Sequence, residues 1–334
     1  MSTIVQQHAP LYVTGKRTAY TSLRILLGSI WLLNAWFQLR GWLLLPHGQA
    51  AANLLHDFSK PIASAPIWLQ GYLDTIVHGI HMLGPDTVGA AMVTLDLLLA
   101  LSLMFGVRVR QFCWLGILYS LFCWTTLDTL GFPYSNGQTD PGVFVNYMLA
   151  FFFVLSALPR GESDAASKDD TARADPFVAG RVLFGLLWLF DAILKWQPAF
   201  LHHFMDQLVP AMQGQPGWIA AFIQFVISIV HFIVPYPVAI VVAVVETLIA
   251  ASLLSGRGLK LFVPIGLLYS LAVWMTAEGW GGPYTAAGTG VRGNVLGNVI
   301  IYAFIFAYLW VQVRPLTHRE QRQQVKESEY LGSE

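Results

Sequence analysis

Carboxylates and a lysine set into apolar sequence give this chain its clearest capacity for chemistry. Asp191 and Lys195 stand four residues apart in RVLFGLLWLFDAILK (181–195). Acid first and base four residues later share one helical face, in the favourable order for an ion pair. Asp96 and Glu246 each interrupt another apolar run, and Asp128 and Glu278 each close one. Ser120, Trp124 and Asp128 fall at i, i+4 and i+8, as do Ser270, Trp274 and Glu278, so each set lines one face of a helix. A charge at the centre of a bilayer costs roughly 2.5–3.5 kcal/mol on insertion scales. An isolated carboxyl there is normally protonated, whereas one close to Lys195 or Arg292 stays charged and can accept a proton. Glu278, Glu246 and Asp191 are the candidate proton-handling residues. The alternative for each is structural: a hydrogen bond between helices, or Asp191 and Lys195 satisfying one another.

A second group of residues could meet an anion. The loop GWGGPYTAAGTGVR (279–292) clusters glycines around Tyr284 and ends on Arg292. Glycines allow left-handed turns and leave amide N–H groups free to face a negative charge. With Lys195 and Arg292 nearby, and His231 as a further cation, a small outward-facing anion pocket is one reading, and a simple turn is the other. His78 and His81 share an apolar segment, and His231 matches His81 later in the chain. Haem or metal ligation needs partners on two facing helices. Only one histidine recurs, so no metal site is expected. Cys113 and Cys123 are ten residues apart, about 15 Å along a helix, too far for a disulfide.

The elements that must position these groups are membrane helices. The chain has 334 residues, 55% hydrophobic and 11% charged, against about 25% charged in soluble domains. Lys plus Arg equals Asp plus Glu at 19 each, so net charge makes no case for nucleic acid. Apolar runs at 20–45, 86–107, 112–130, 143–159, 177–196, 235–255, 261–278 and 294–313 predict eight spans. Residues 67–83 and 216–233 are apolar but broken by polar groups, and read as interfacial or re-entrant. Most Lys and Arg fall on one side of this arrangement, which predicts cytoplasmic termini and aromatic, Pro-rich loops on the outer face of a bacterial inner membrane. No cleavable signal peptide is read in the first eighteen residues. The tails 1–19 and 315–334 and the polar linker 160–176 bracket two units, 20–159 and 177–314.

Those units are copies. Arg24, Gly28, Trp31 and Ala35 recur as Arg181, Gly185, Trp188 and Ala192, with six of fifteen aligned positions identical. Residues 115–134 match 265–284 at ten of twenty positions. Trp68 aligns with Trp218, His81 with His231, and Asp96 with Glu246. Four spans per copy give both the same orientation, a parallel repeat. The expected fold is therefore all-α, as two tandem four-helix bundles. The stripe Trp31, Asn34, Gln38 becomes Trp188, Asp191, Lys195 in the second copy, so chemistry is expected there.

The pattern Arg-x-x-x-Gly-x-x-Trp-x-x-x-Ala on the first helix, with Glu278-Gly-x-Gly-Gly-Pro-Tyr284 after the third, resembles the DoxX/DoxD family of small four-helix membrane proteins. The family unit is usually single, and this chain holds two. The DoxD branch is the large subunit of thiosulfate:quinone oxidoreductase. The resemblance implies oxidation of thiosulfate to tetrathionate with electrons passing to membrane quinone, and a small DoxA-like partner subunit. On that basis Lys195, Arg292, His231 and Tyr284 would hold the sulfur anion. Trp274 and Tyr269 would wall the quinone, and Glu278 and Glu246 would handle its protons. No flavin, haem or iron–sulfur motif is read. The competing readings are a non-catalytic anchor or assembly subunit of a larger membrane complex, and a small-anion transporter.

Overall fold

The computed structural model describes residues 11–44, 48–132, 140–158, 176–282 and 296–314, and among these it is helical with no strand. The helices are α1 (Leu11–Leu44), α2 (Gln49–Ser59), α3 (Ile67–Leu83), α4 (Pro85–Phe105), α5 (Val109–Thr126), α6 (Val143–Ser156), α7 (Pro176–Lys195), α8 (Pro198–His202), α9 (Gly217–Ile233), α10 (Pro235–Ser255), α11 (Leu259–Thr276) and α12 (Val299–Val313). Four of them, α4, α7, α10 and α11, are long and apolar enough to cross a membrane, and α6, α9 and α12 are shorter apolar helices.

Element for element, the second half repeats the first. Helices α3 to α5 return 150 residues later as α9 to α11. Helix α1 packs on α4 as α7 packs on α10, and α5 packs on α6 as α11 packs on α12. The repeated sequence motif explains this pairing. Arg181 reaches over the end of α10, where its guanidinium donates to the Leu253 carbonyl and lies against Gly256; Arg24 lies against Gly106 at the end of α4. A cation over the last free carbonyls of a helix offsets their partial negative charge. Gly116 and Gly266 let α6 and α12 come close: a Cβ on either would sit 2.4 and 2.3 Å from the rings of Phe151 and Phe306.

The segments read as interfacial or re-entrant, 67–83 and 216–233, are helices α3 and α9, with bounds that agree to within a residue. Each buries a narrow stripe, Leu69, Leu73 and Ile80 in one and Ile219, Ile223, Ile227 and Val230 in the other. Single residues at positive φ, Gly84 (86°) and Val234 (80°), separate them from α4 and α10, which both open on proline. Proline at a first helical position loses no bond, because that N–H would be unpaired anyway. One boundary does differ: Asp128 and Glu278 were expected on the third helix of each half. The helices end at Thr126 and Thr276, and both acids stand in the turns that follow.

The halves share a core. Phe153 of α6 meets Phe184 of α7 edge-on at 6.3 Å and Tyr308 of α12 at 5.9 Å. Asn146 Nδ2 donates to the side-chain oxygen Oδ1 of Asn298 across the same boundary. Helices alternate in direction, so Arg17, Arg24, Arg108, Arg110, Arg181, Arg257, Lys260 and Arg314 gather at one end, and Asp128, Asp140 and Glu278 at the other.

Candidate functional site

A cavity of about 230 Å³ opens inside the second half, near its acidic end. That is several times the roughly 30 Å³ one water takes in the liquid. Helix α7 contributes Trp188, Asp191 and Lys195, whose spacing puts them on one buried stripe. Glu246 comes from α10, Tyr269 from α11 and Tyr302 from α12, and Phe200, Phe204 and Leu208 close one side. Asn298 and Val299, at the start of α12, close an end. Asp140, which precedes α6, reaches the same cavity from the first half.

The polar groups form two phenol–carboxylate pairs. Tyr302 donates to Asp191 Oδ2 at 2.8 Å, and Tyr269 donates to Glu246 Oε1 at 2.5 Å. Lys195 Nζ lies 3.3 Å from that same Glu246 oxygen and 5.3 Å from the centre of the Phe200 ring. This ion pair runs from α7 to α10, to a partner that the spacing along α7 does not name. Two helices packed side by side bring Glu246 to the ammonium, and Asp191 meets Tyr302 of α12. With Asp191 and Glu246 each 4% exposed and Lys195 8%, bulk water does little to weaken these interactions. Glu246 Oε2, Asp191 Oδ1 and Trp188 Nε1 have no hydrogen-bond partner among the described residues.

The remaining sequence candidates divide by position. Trp274 does not line the cavity. Its indole N–H donates to the Leu296 carbonyl at 2.8 Å, as Trp124 does to Pro141, and its ring packs on Trp280 at 5.3 Å. Both tryptophans therefore pin the loop that leads into the last helix of their half. Glu278 has the related task of capping that helix. Its carboxylate accepts the Asn298 amide at 2.8 Å and the Val299 amide at 3.1 and 3.0 Å, and Asp128 accepts the Phe144 amide at 3.0 Å. A carboxylate on the free N–H groups of a first turn is a favourable cap. Burial pushes the Glu278 carboxyl up to about 8 and Asp128 up to about 7, against the lowering effect of those amides. His231 is exposed on α9 and takes no part in the cavity. Arg292 and Tyr284 lie outside the described residues. No group of three or more His, Cys, Asp or Glu is placed to hold a metal among the described residues.

Sequence reasoning missed Tyr302, Asp140, Phe200 and Phe204. Tyr302 had a signal: it corresponds to Tyr147 in the first half, and both stack on the repeated tryptophan, Tyr147 on Trp31 at 5.0 Å and Tyr302 on Trp188 at 5.5 Å. Asp140 had none, because only folding carries it across the boundary between halves.

Chemically, the cavity offers aromatic walls, two phenol donors, an ammonium and two or three carboxyl groups. Carboxyls outnumber cations, so a dianion is a poor guest, while a neutral ring with oxygen substituents meets both donors and acceptors. Comparison with known proteins adds no assignment: no family model, curated protein sequence or solved structure matches the chain.

Proposed function

We propose that the chain is a multi-pass bacterial inner-membrane protein of eight spans, arranged as two tandem four-helix units in parallel orientation with cytoplasmic termini. On this reading it is the membrane subunit of an oxidoreductase that passes electrons from a small sulfur anion such as thiosulfate to membrane quinone. The observation that carries the reading is the pair of phenol–carboxylate contacts, Tyr302–Asp191 and Tyr269–Glu246, on the walls of one aromatic cavity. Quinone, when bound, takes up two electrons and two protons. Oxidation of two thiosulfate ions to tetrathionate releases the two electrons.

The residues divide that work. Trp188, Phe200 and Phe204 exclude water and hold a flat ring. Lys195 donates to an oxygen substituent, and Tyr269 and Tyr302 turn their single O–H to the ring when their carboxyl partners are protonated and donate to them in turn. Asp191 and Glu246 hold the protons that pass through the adjacent phenols, and the spare carboxylate oxygens accept from the hydroxyls of the reduced ring. The sulfur anion is oxidised outside the cavity, on a DoxA-like partner, and a redox group held by that partner passes the two electrons to the ring. Three carboxyl groups around a single ammonium would repel the anion here.

The second reading is a non-catalytic anchor or assembly subunit. Glu278 favours it, since this residue, expected to work on protons, serves as a helix cap. Anaerobic reduction of a quinone analogue by membranes holding the protein, with thiosulfate as donor, separates the two. Quinol formation that is lost in Tyr302→Phe and Lys195→Met supports the oxidoreductase. Folded protein that forms no quinol supports the anchor.

A further inference from the structure

Outside the proposed quinone cavity, a groove of about 460 Å³ opens between α1 and α12, where the first helix of one half meets the last helix of the other. Its walls are Ala19, Leu23 and Leu26 on α1 and Phe304, Ala307 and Val311 on α12. The two helices run in opposite senses. Thr18 and Ser22 therefore fall at the end of the groove that Arg314 closes, while Leu26 and Phe304 mark the deep end. Thr18, Ser22 and Leu26 are exposed, so the groove opens sideways from the bundle. From Thr18 to Leu26 it runs about 12 Å at the rise of an α-helix.

We propose that this groove is a binding site for an anionic phospholipid, one acyl chain lying along Leu23, Leu26, Phe304 and Ala307 and the phosphate meeting Arg314 and the Thr18 hydroxyl. Shape and charge both select this occupant. A mainly apolar channel, with Tyr308 on its wall and its one charge, Arg314, at the mouth beside Thr18 and Ser22, matches a molecule with one polar end. That mouth lies at the basic end of the bundle, where Arg17, Arg24, Arg108 and Arg257 add to the field of Arg314. The chain's own tail does not suit the groove, because residues 315–334 are predominantly polar and charged, with no apolar run to lay along it. The physical consequence is a seam in which lipid completes the packing between the two halves where side chains stop short.

The test uses the full-length protein, purified in detergent, stripped of lipid and titrated with phosphatidylglycerol or phosphatidylcholine under native mass spectrometry. The expected result is one phosphatidylglycerol retained per chain in preference to phosphatidylcholine. Ala307→Trp fills the groove and should remove that adduct. Arg314→Gln should weaken phosphatidylglycerol binding about fivefold, the share of one surface cation, and leave phosphatidylcholine unchanged. Leu26→Trp, on an exposed wall residue, repeats the blocking test if Ala307→Trp does not insert. Equal retention of the two lipids, an adduct that survives both blocking variants, an Arg314→Gln protein with full selectivity, or a lipid-free dimer each overturns the proposal.

Discussion

At the centre of each half a tryptophan sits among aromatic rings, three of them in matching positions, and the polar group one helical turn beyond it differs. In the first half Trp31 packs on Tyr119, Tyr147 and Phe151, and Asn34 donates to Asp96 at 3.0 Å. In the second Trp188 packs on Tyr269, Tyr302 and Phe306 in the matching positions, but Asp191 and Lys195 replace Asn34 and Gln38. The first half thus sets a neutral amide against a carboxyl, with no lysine on the stripe. Two acids and a lysine need an ion pair and two phenols, and they surround a cavity. Identical scaffolding therefore carries a simple polar lock on one side and a set of groups able to hold protons on the other.

The largest effect should separate the halves most sharply. Lys195→Met leaves Glu246 buried without its cation, at a cost of about 3–5 kcal/mol, whereas Gln38→Met, its counterpart, removes no charge and should cost less. Thermal melting in detergent would measure both, and equal losses would end the claim that the two centres differ. If the proposed function holds, Lys195→Met also abolishes quinone reduction and Gln38→Met does not.

Shared scaffolding predicts the opposite outcome, equal cost. Gly116→Ala and Gly266→Ala each push a Cβ into a phenylalanine ring on the neighbouring helix, and each should destabilise by about 1–3 kcal/mol. A large difference between them would mean that the halves are packed by different rules. The linker between α3 and α4 supplies a comparison of the same size. Gly84 adopts its positive φ freely, but Val234 holds φ 80° with a branched side chain. Val234→Gly should therefore stabilise by about 1–3 kcal/mol.

The smallest effect is graded with pH. Asp128 and Glu278 are raised by burial to about 7 and about 8. The folded chain keeps protons that an unfolded chain releases near an ordinary carboxyl value of about 4. The stability they contribute is complete below that value and is lost as pH rises through 7 and then 8. Melting temperature should fall across this window in the wild type. Glu278→Gln, which keeps an oxygen for the α12 amides but cannot ionise, should flatten the upper part, and Asp128→Asn the lower.

Much of the architecture was legible in the sequence for local reasons. Apolar runs of the right length mark helices whatever packs on them, and α10 was bounded to the residue, at 235 and 255. The internal repeat named the pairs that occupy matching positions, Trp31 with Trp188 and Asp96 with Glu246, before any coordinate. Helix ends were less legible. Asp128 and Glu278 continue the i, i+4 pattern, yet the chain leaves the helix two residues earlier because their carboxylates hold the amides of the next one.

The sequence by itself determined the helical class, the membrane character of the apolar helices and the location of the unusual charges, since each depends on composition and short-range spacing. Which charge meets which was decided only by tertiary structure. Lys195 had Asp191 four residues away as one candidate partner, and it paired with Glu246, 51 residues on, because α7 and α10 lie against one another. Asp140 entered the second half's cavity from the first half because α6, which follows it, packs on α7 and α12. Ion pairs and cavities depend on distances between helices, and no local pattern of residues records those distances.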